Sequence, residues 1–138
     1  MYQIVYTSEA TVDFSSEDLR QLLAVARAKN KVGLITGMLV FCDNQFLQVL
    51  EGSMADVVRT YDRIATDLRH DNLMALYRGN SQPGKTFSSS AMGFHSMALG
   101  AALPPGFVRE AGRVQFAHFD EVQALNFLVA CRTQPALV

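Results

Sequence analysis

Two periods of hydrophobic spacing divide the chain into short elements. Five segments rich in β-branched, aliphatic and aromatic side chains have the length and composition of strands. The second and third are separated only by residues 43–45, Asp-Asn-Gln, which favour a tight turn, so these two strands are expected to form a hairpin. The predicted strands are residues 2–8, 34–42, 46–52, 72–79 and 86–97.

Two further segments have the period of an amphipathic helix. Ser15 and Asp18 resemble a capping box that starts the first helix, which is expected to end near residues 30–31. Ser53 is the expected cap of the second helix, whose apolar stripe predicts that it continues to about residue 70. That stripe consists of Val57, Tyr61, Ile64 and Leu68.

The predicted order is therefore β-α-β-β-α-β-β, followed by a strongly apolar helix over residues 119–131. Hairpins with segregated helices are typical of an α+β fold, and two long helices on one sheet face make the ferredoxin-like sandwich. The C-terminal helix lies outside this pattern. We expect it to pack on the other sheet face, where it could also relay a change at the fifth strand to a partner.

Composition and charge limit the kinds of function. The 138 residues are 49% hydrophobic and 18% charged, which is typical of a globular chain with a substantial core. The net charge is −1 and there is no basic stripe, so we expect no nucleic-acid partner. No apolar segment approaches the ~20 residues needed to span a membrane. Two cysteines, Cys42 and Cys131, and no visible signal peptide predict reduced thiols and a cytoplasmic location.

Several polar side chains are predicted to meet at one end of the sandwich. Strand periodicity puts Tyr6 and Gln48 in the apolar layer under the helices, and Asn30 could reach the same layer from the first helix. Arg69 and His70 are expected to close the second helix at the same end. These donors, without a nucleophile or a metal cluster, suit a planar, acceptor-rich ligand better than hydrolysis.

Each of these residues also has a purely structural interpretation. Gln48 could lie on a partly exposed strand, and Tyr6 could be a rim aromatic with its hydroxyl in water. Asn30 could be a helix C-terminal residue that tolerates left-handed geometry. Arg69 and His70 could face the helix dipole without any ligand.

The same residues carry a resemblance to a known family. The ordered motifs resemble the BLUF domain, a bacterial and protist blue-light sensor that uses flavin, and the match runs over residues 2–97 without insertions. A BLUF-like domain is therefore expected over residues 1–97, with a linker and helical extension over residues 98–138. The motifs are IVYTS, AKNKVGLITGMLVF, FLQVLEG, DLRHDN and MGF.

The resemblance implies a non-covalent FAD, with FMN as the alternative, between the two helices. Tyr6 would be the phenol that gives an electron and a proton to the excited flavin, and Gln48 would change its hydrogen bonds between Tyr6 and the ring. Met92 would pass that change to the fifth strand. The residues expected to contact the ring, besides Tyr6 and Gln48, are Asn30, Lys29, Ile35, Arg69 and His70.

Two positions depart from the family pattern. Ser90 stands where many relatives have a tryptophan, and the chain contains no tryptophan. Lys29 stands where relatives often have His or Asn against the ring, and a cation there could alter the flavin potential or the phosphate contacts. We therefore expect photochemistry to survive with unusual recovery kinetics.

Three other functions are weighed against the photoreceptor. An acylphosphatase-like hydrolase needs an Arg-bearing phosphate loop after the first strand, but residues 7–18 offer only carboxylates there. An RNA-recognition module needs aromatic residues flanked by basic ones on its open face, which the sequence lacks. A light-independent flavin-binding or ferredoxin-like interaction module is the remaining alternative. For a receptor without an enzymatic domain, the expected output is self-association or binding to another protein.

Overall fold

The computed structural model describes residues 1–81, 87 and 92–132. Five strands form a single sheet in the order β4-β1-β3-β2-β5, with all neighbours antiparallel except β2 and β5. This arrangement confirms the predicted ferredoxin-like α+β fold with an extra C-terminal helix. The strands are β1 Tyr2–Ala10, β2 Thr36–Cys42, β3 Gln45–Gly52, β4 His70–Asn80 and β5 Gly93–Ser96. The helices are α1 Ser16–Val32, α2 Met54–Ala65 and α3 Glu121–Arg132.

The end of the second helix differs from the prediction. α2 ends at Ala65, because the Thr66 hydroxyl donates to the Arg63 carbonyl at 2.7 Å and the Asp67 carboxylate accepts from the Arg69 backbone N–H at 3.0 Å. Such local side-chain bonds offer the backbone an alternative to the helix. Leu68, the last member of the predicted stripe, is 89% exposed. Arg69 and His70 therefore do not close the helix: Arg69 lies in a turn.

His70 begins β4, which makes that strand two residues longer at its start than predicted. The fifth strand covers only Gly93–Ser96 of the predicted 86–97. Residues 82–86 and 88–91, including Ser90, lie outside the described residues.

The predicted hairpin between β2 and β3 sets the register of the central strands. Asp43 and Asn44 both have positive φ, 53° and 58°, which is the geometry of a type I′ turn. With that turn in place, Gln48 on β3 lies between Tyr6 on β1 and Leu39 on β2.

Each face of the sheet carries its own core. Beneath α1 and α2 lies the helix-pair core, which consists of Ile4, Tyr6, Leu19, Leu23, Ile35, Leu39, Phe41, Phe46, Leu50, Val57, Met92 and Phe94. The opposite face packs against α3 in the C-terminal core, to which Val5, Val40 and Val49 contribute from the sheet. Leu125, Phe127 and Leu128 of α3 are buried there, which confirms the expected packing of this helix.

Polar contacts fasten the segment between β5 and α3 to the β2–β3 turn. The Asp43 carboxylate accepts from Arg109 Nε at 2.9 Å and from the Val114 backbone N–H at 2.7 Å. Gln45 Nε2 donates to the Val114 carbonyl at 2.7 Å. The C-terminal extension is thus bound to the same sheet that carries the predicted site. No helix in the described ranges is both long and apolar enough to cross a bilayer.

Candidate functional site

A cavity of about 300 Å³ opens between α1, α2 and the sheet. Its volume is at the lower end of the ~300–1,000 Å³ typical of ligand sites. Polar side chains lie at its floor and rim, and its walls are mostly apolar. The apolar wall residues are Phe14, Leu22, Val25, Ala26, Leu39, Phe46 and Ile64.

Tyr6 and Gln48 form the floor of the cavity, as the strand alternation predicts. Both are almost fully buried, with 2% and 4% of their surfaces exposed. The Tyr6 hydroxyl donates to Gln48 Oε1, and the Tyr6 ring packs edge-on against Tyr61 at 5.4 Å between centroids. Burial raises the pKa of Tyr6 far above its usual value, so the phenol stays protonated.

Gln48 continues this chain of contacts to Met92. Its Nε2 donates to the Met92 sulfur at 3.3 Å, and Met92 is completely buried. The contacts from Tyr6 through Gln48 to Met92 thus link β1, β3 and the residue that precedes β5. Since an amide nitrogen carries two N–H groups, Gln48 retains a second donor beside the cavity.

Asn30 and Lys29 reach the cavity from the last turn of α1. Asn30 is buried, and its backbone carbonyl accepts from the Ile35 N–H at 2.8 Å. Lys29 is exposed at the rim. Ile35 is also buried, but its side chain lies beside Gly52, away from the cavity lining. Ile35 therefore belongs to the core beneath the site.

Arg69 lines the cavity, but its guanidinium is paired with Asp67. Arg69 Nη2 lies 2.6 Å from Asp67 Oδ2, and Nε contacts both carboxylate oxygens at 3.0 and 3.2 Å. The hydrogen bonds from Arg69 lower the pKa of Asp67 to about 2. This ion pair thus fixes both charges at the mouth of the cavity.

His70 also lines the cavity, and both of its ring nitrogens are engaged. Nε2 lies 2.8 Å from the Ile64 carbonyl, and Nδ1 lies 2.7 Å from the Ser8 hydroxyl. A carbonyl only accepts, so Nε2 carries the proton in the neutral ring and Nδ1 accepts from Ser8. His70 therefore ties β4 to α2 and β1 and supports the cavity wall.

Sequence reasoning missed several contributors to the cavity, of which Phe14, Arg63 and Asp67 bring an aromatic ring and two charges. Phe14 enters from the segment between β1 and α1, where the chain was expected only to break the strand. Arg63 lies on the face of α2 opposite the expected core, and Asp67 falls in the turn that was predicted as helix. Lys29 and Arg63 are two rim cations that form no ion pair among the described residues. The available signal was the position of Arg63 in the last turn of the helix, close to the end of the sandwich at which the site was expected.

The residues present suit a flavin ring system. A planar heterocycle with carbonyl and ring-nitrogen acceptors needs apolar walls and donors at one edge. The cavity lining supplies the apolar walls. Gln48 supplies a donor through its second N–H, and the amide of Asn30 lies nearby in the lining. Cations at the rim suit a phosphate-bearing tail outside the cavity. This donor set, built on a ferredoxin-like sandwich, suits a domain that binds a planar cofactor.

Comparison with known families agrees with this class. The BLUF family model, described as sensors of blue-light using FAD, matches residues 1–93. The match covers more than half of the chain, and the chain therefore belongs to the BLUF family.

Two relatives that this chain resembles in sequence are much longer proteins. Photoactivated adenylate cyclase subunit alpha of Euglena gracilis is 35% identical over 74 residues, which are 54% of this chain and 7% of that protein. The blue light- and temperature-regulated antirepressor BluF of Escherichia coli (strain K12) is 27% identical over 96 residues, 70% of this chain and 24% of that protein. The matched region thus spans less than a quarter of the length of either relative.

Among solved structures, one covers nearly the whole chain. The photo-activated state of BlsA has a TM-score of 0.77 at 22% identity and covers 99% of this chain and 98% of its own. At this identity the likeness shows the fold alone, and it extends over the C-terminal region as well as the sheet.

Proposed function

We propose that this chain is a blue-light receptor that holds FAD non-covalently between α1 and α2 and signals through the hydrogen bonds of Gln48. The buried Tyr6–Gln48–Met92 chain of contacts is the observation that carries the proposal, because it runs from the cavity floor to the start of β5. FMN has the same ring system, so the cavity suits it equally, and the rim cations Lys29 and Arg63 are the groups expected to favour a phosphate-bearing flavin.

When bound, the flavin supplies absorption of blue light and a strongly oxidising excited state. Tyr6 holds its proton firmly in the dark, since burial raises the pKa of its phenol. Its hydroxyl is hydrogen-bonded to Gln48 Oε1, so movement of that proton and reorientation of the amide are coupled. The Tyr61 ring holds the phenol in place from the α2 side.

The Gln48 amide is well suited to switching between hydrogen-bond patterns. Its oxygen and nitrogen ends have nearly the same shape, so reorientation reverses donor and acceptor at little steric cost. Phe46 and Leu39 keep water from the surrounding space, so few satisfied arrangements exist. A small set of satisfied arrangements is the property that a bistable switch requires.

The proposed output is a change in contacts with another protein or with a second copy of the chain, rather than catalysis by this domain. Met92 leads directly into β5, which is an edge strand that packs against α3. We propose that this output occurs in the cytoplasm, because Cys42 and Cys131 are free thiols, which suit a reducing compartment.

A reconstitution experiment tests the proposal. Purified protein loaded with FAD should show a visible band that shifts to the red under blue light and returns in darkness. Gln48→Ala should retain flavin and lose the shift, whereas Gln21→Ala, at an exposed glutamine on α1, should keep both. FAD binding without any light-induced shift in the unmodified protein would favour the light-independent flavin-binding module, and failure to bind flavin would refute both.

A further inference from the structure

The position of Met92 depends on contacts that differ for its side chain and its backbone. The side chain is completely buried and its sulfur accepts from Gln48 Nε2. The backbone, however, lies just outside the sheet, because the β2–β5 pairing begins one residue later, with Met38 opposite Gly93. The ladder of the sheet thus holds this peptide from its Gly93 end, and the Met92 carbonyl receives its hydrogen bond from outside the sheet.

Arg27 of α1 donates a hydrogen bond to the Met92 carbonyl. Its Nε donates to the Met92 carbonyl at 2.9 Å, in a partly buried position. Within the described part of the chain, Arg27 forms no ion pair with a carboxylate. A hydrogen bond from a charged group is shorter and stronger than a neutral one, so this contact is a substantial restraint on the peptide.

The Met92 side chain lies beside Gly37 of β2. A Cβ at Gly37 would lie 1.9 Å from the Val49 carbonyl oxygen and 3.4 Å from the Met92 methyl carbon. The methyl group therefore packs directly over the β2 backbone. Met92 is thus held from below by the sheet and from the side by Arg27, and its sulfur is directed at Gln48.

We infer that Arg27 is a positioning residue for the light response: by fixing the Met92 carbonyl, it holds the sulfur against the Gln48 amide. Neither the cavity nor the Tyr6–Gln48 pair includes Arg27, so its effect acts through Met92 alone. Without this bond the sulfur can follow the amide as it reorients, which lowers the barrier between the two hydrogen-bond patterns.

The kinetic test rests on the proposed function and uses the FAD-loaded protein. We expect Arg27→Gln to accelerate thermal recovery in darkness about tenfold, which corresponds to ~1.4 kcal/mol in the barrier. Arg27→Lys should behave similarly, since lysine keeps the charge but lacks the fixed Nε–H of the planar guanidinium. Arg20→Gln is the matched control, because Arg20 also lies on α1 and its ion pair is with the exposed Glu17. Its recovery should be that of the unmodified protein.

A double-mutant cycle distinguishes positioning from a general loss of stability. In a Met92→Leu background, Arg27→Gln should have no further effect on recovery, because the contact it positions is gone. Equal acceleration by Arg27→Gln in the Met92→Leu background and in the otherwise unmodified protein, or no acceleration in the otherwise unmodified protein, would overturn the inference.

A second readout needs neither flavin nor light. In flavin-free protein labelled at its methionine methyl groups, the Met92 NMR signal, assigned from its loss in Met92→Leu, should shift in Arg27→Gln and stay in place in Arg20→Gln. An unmoved Met92 signal would refute the role of Arg27 whatever the photochemistry. A missing light response in the unmodified protein, with a shifted methyl signal, would refute the proposed function and leave the positioning contact established.

Discussion

Replacing Tyr6 with phenylalanine removes a single buried hydroxyl and leaves the rest of the ring in place. The ring contact with Tyr61 survives, since it involves the edge and face of the two rings. Gln48 Oε1, however, loses its donor within a region where both residues are at most 4% exposed. A buried polar group left without a partner costs about 1–3 kcal/mol. We therefore expect Tyr6→Phe to lower the free energy of unfolding of the flavin-free protein by that amount.

Tyr77→Phe is the matched control for this change. The Tyr77 hydroxyl donates to the Asn80 carbonyl at an exposed position on β4, so its removal leaves a carbonyl that water can reach. We expect that variant to lie within ~0.5 kcal/mol of the unmodified protein. Urea denaturation of the three proteins, followed by circular dichroism, measures both differences. Equal stabilities for Tyr6→Phe and Tyr77→Phe would show that the Tyr6–Gln48 bond is not the satisfied buried contact that the switch requires.

Three further predictions concern the core and the charged groups. Phe127→Ala removes a buried ring that packs on three other phenylalanines, so it should lower the free energy of unfolding by about 3–5 kcal/mol in urea denaturation. Val122→Ala, at a 61% exposed position on α3, should lower it by less than ~0.5 kcal/mol. Arg69→Ala should raise the pKa of Asp67 from about 2 towards 3.8 in a carboxyl NMR titration, and the stability that this ion pair contributes above pH 3.8 should disappear as the pH falls through 2. Burial raises the pKa of Glu51 above 4.5, so its carboxyl favours folding most below pH 4.5 and loses that contribution as the pH rises through its folded pKa. Glu51→Gln should therefore remove this loss of stability with rising pH, which urea denaturation of the two proteins at a series of pH values measures.

The pairing of Tyr6 with Gln48 could be predicted because side chains alternate between the two faces of a strand. Successive residues on a strand point to opposite faces, so Tyr6 and Gln48 had to share the layer that also holds Ile4 and Leu50. The Asp43–Asn44 turn then fixed the register between β2 and β3, since its positive φ angles suit only a few residue types. Local chemistry was sufficient in both cases.

The end of α2 could not be predicted in this way. Leu68 has the spacing of a buried residue, and nothing in a hydrophobic period reveals that Thr66 and Asp67 end the helix with their own side chains. The error carried over to Arg69 and His70, which the structure brings to the cavity from a turn and a strand. The Arg69–Asp67 pair and the two bonds of His70 depend on this local geometry, which the sequence pattern does not record.

Infrared difference spectroscopy tests the central claim most directly, because it observes the amide of Gln48. FAD-loaded protein carrying labelled glutamine should give light-minus-dark bands that move with the label, accompany the red shift of the visible band and disappear in Gln48→Ala. A reversible visible shift without glutamine amide bands, or with bands unchanged in Gln48→Ala, would contradict the account.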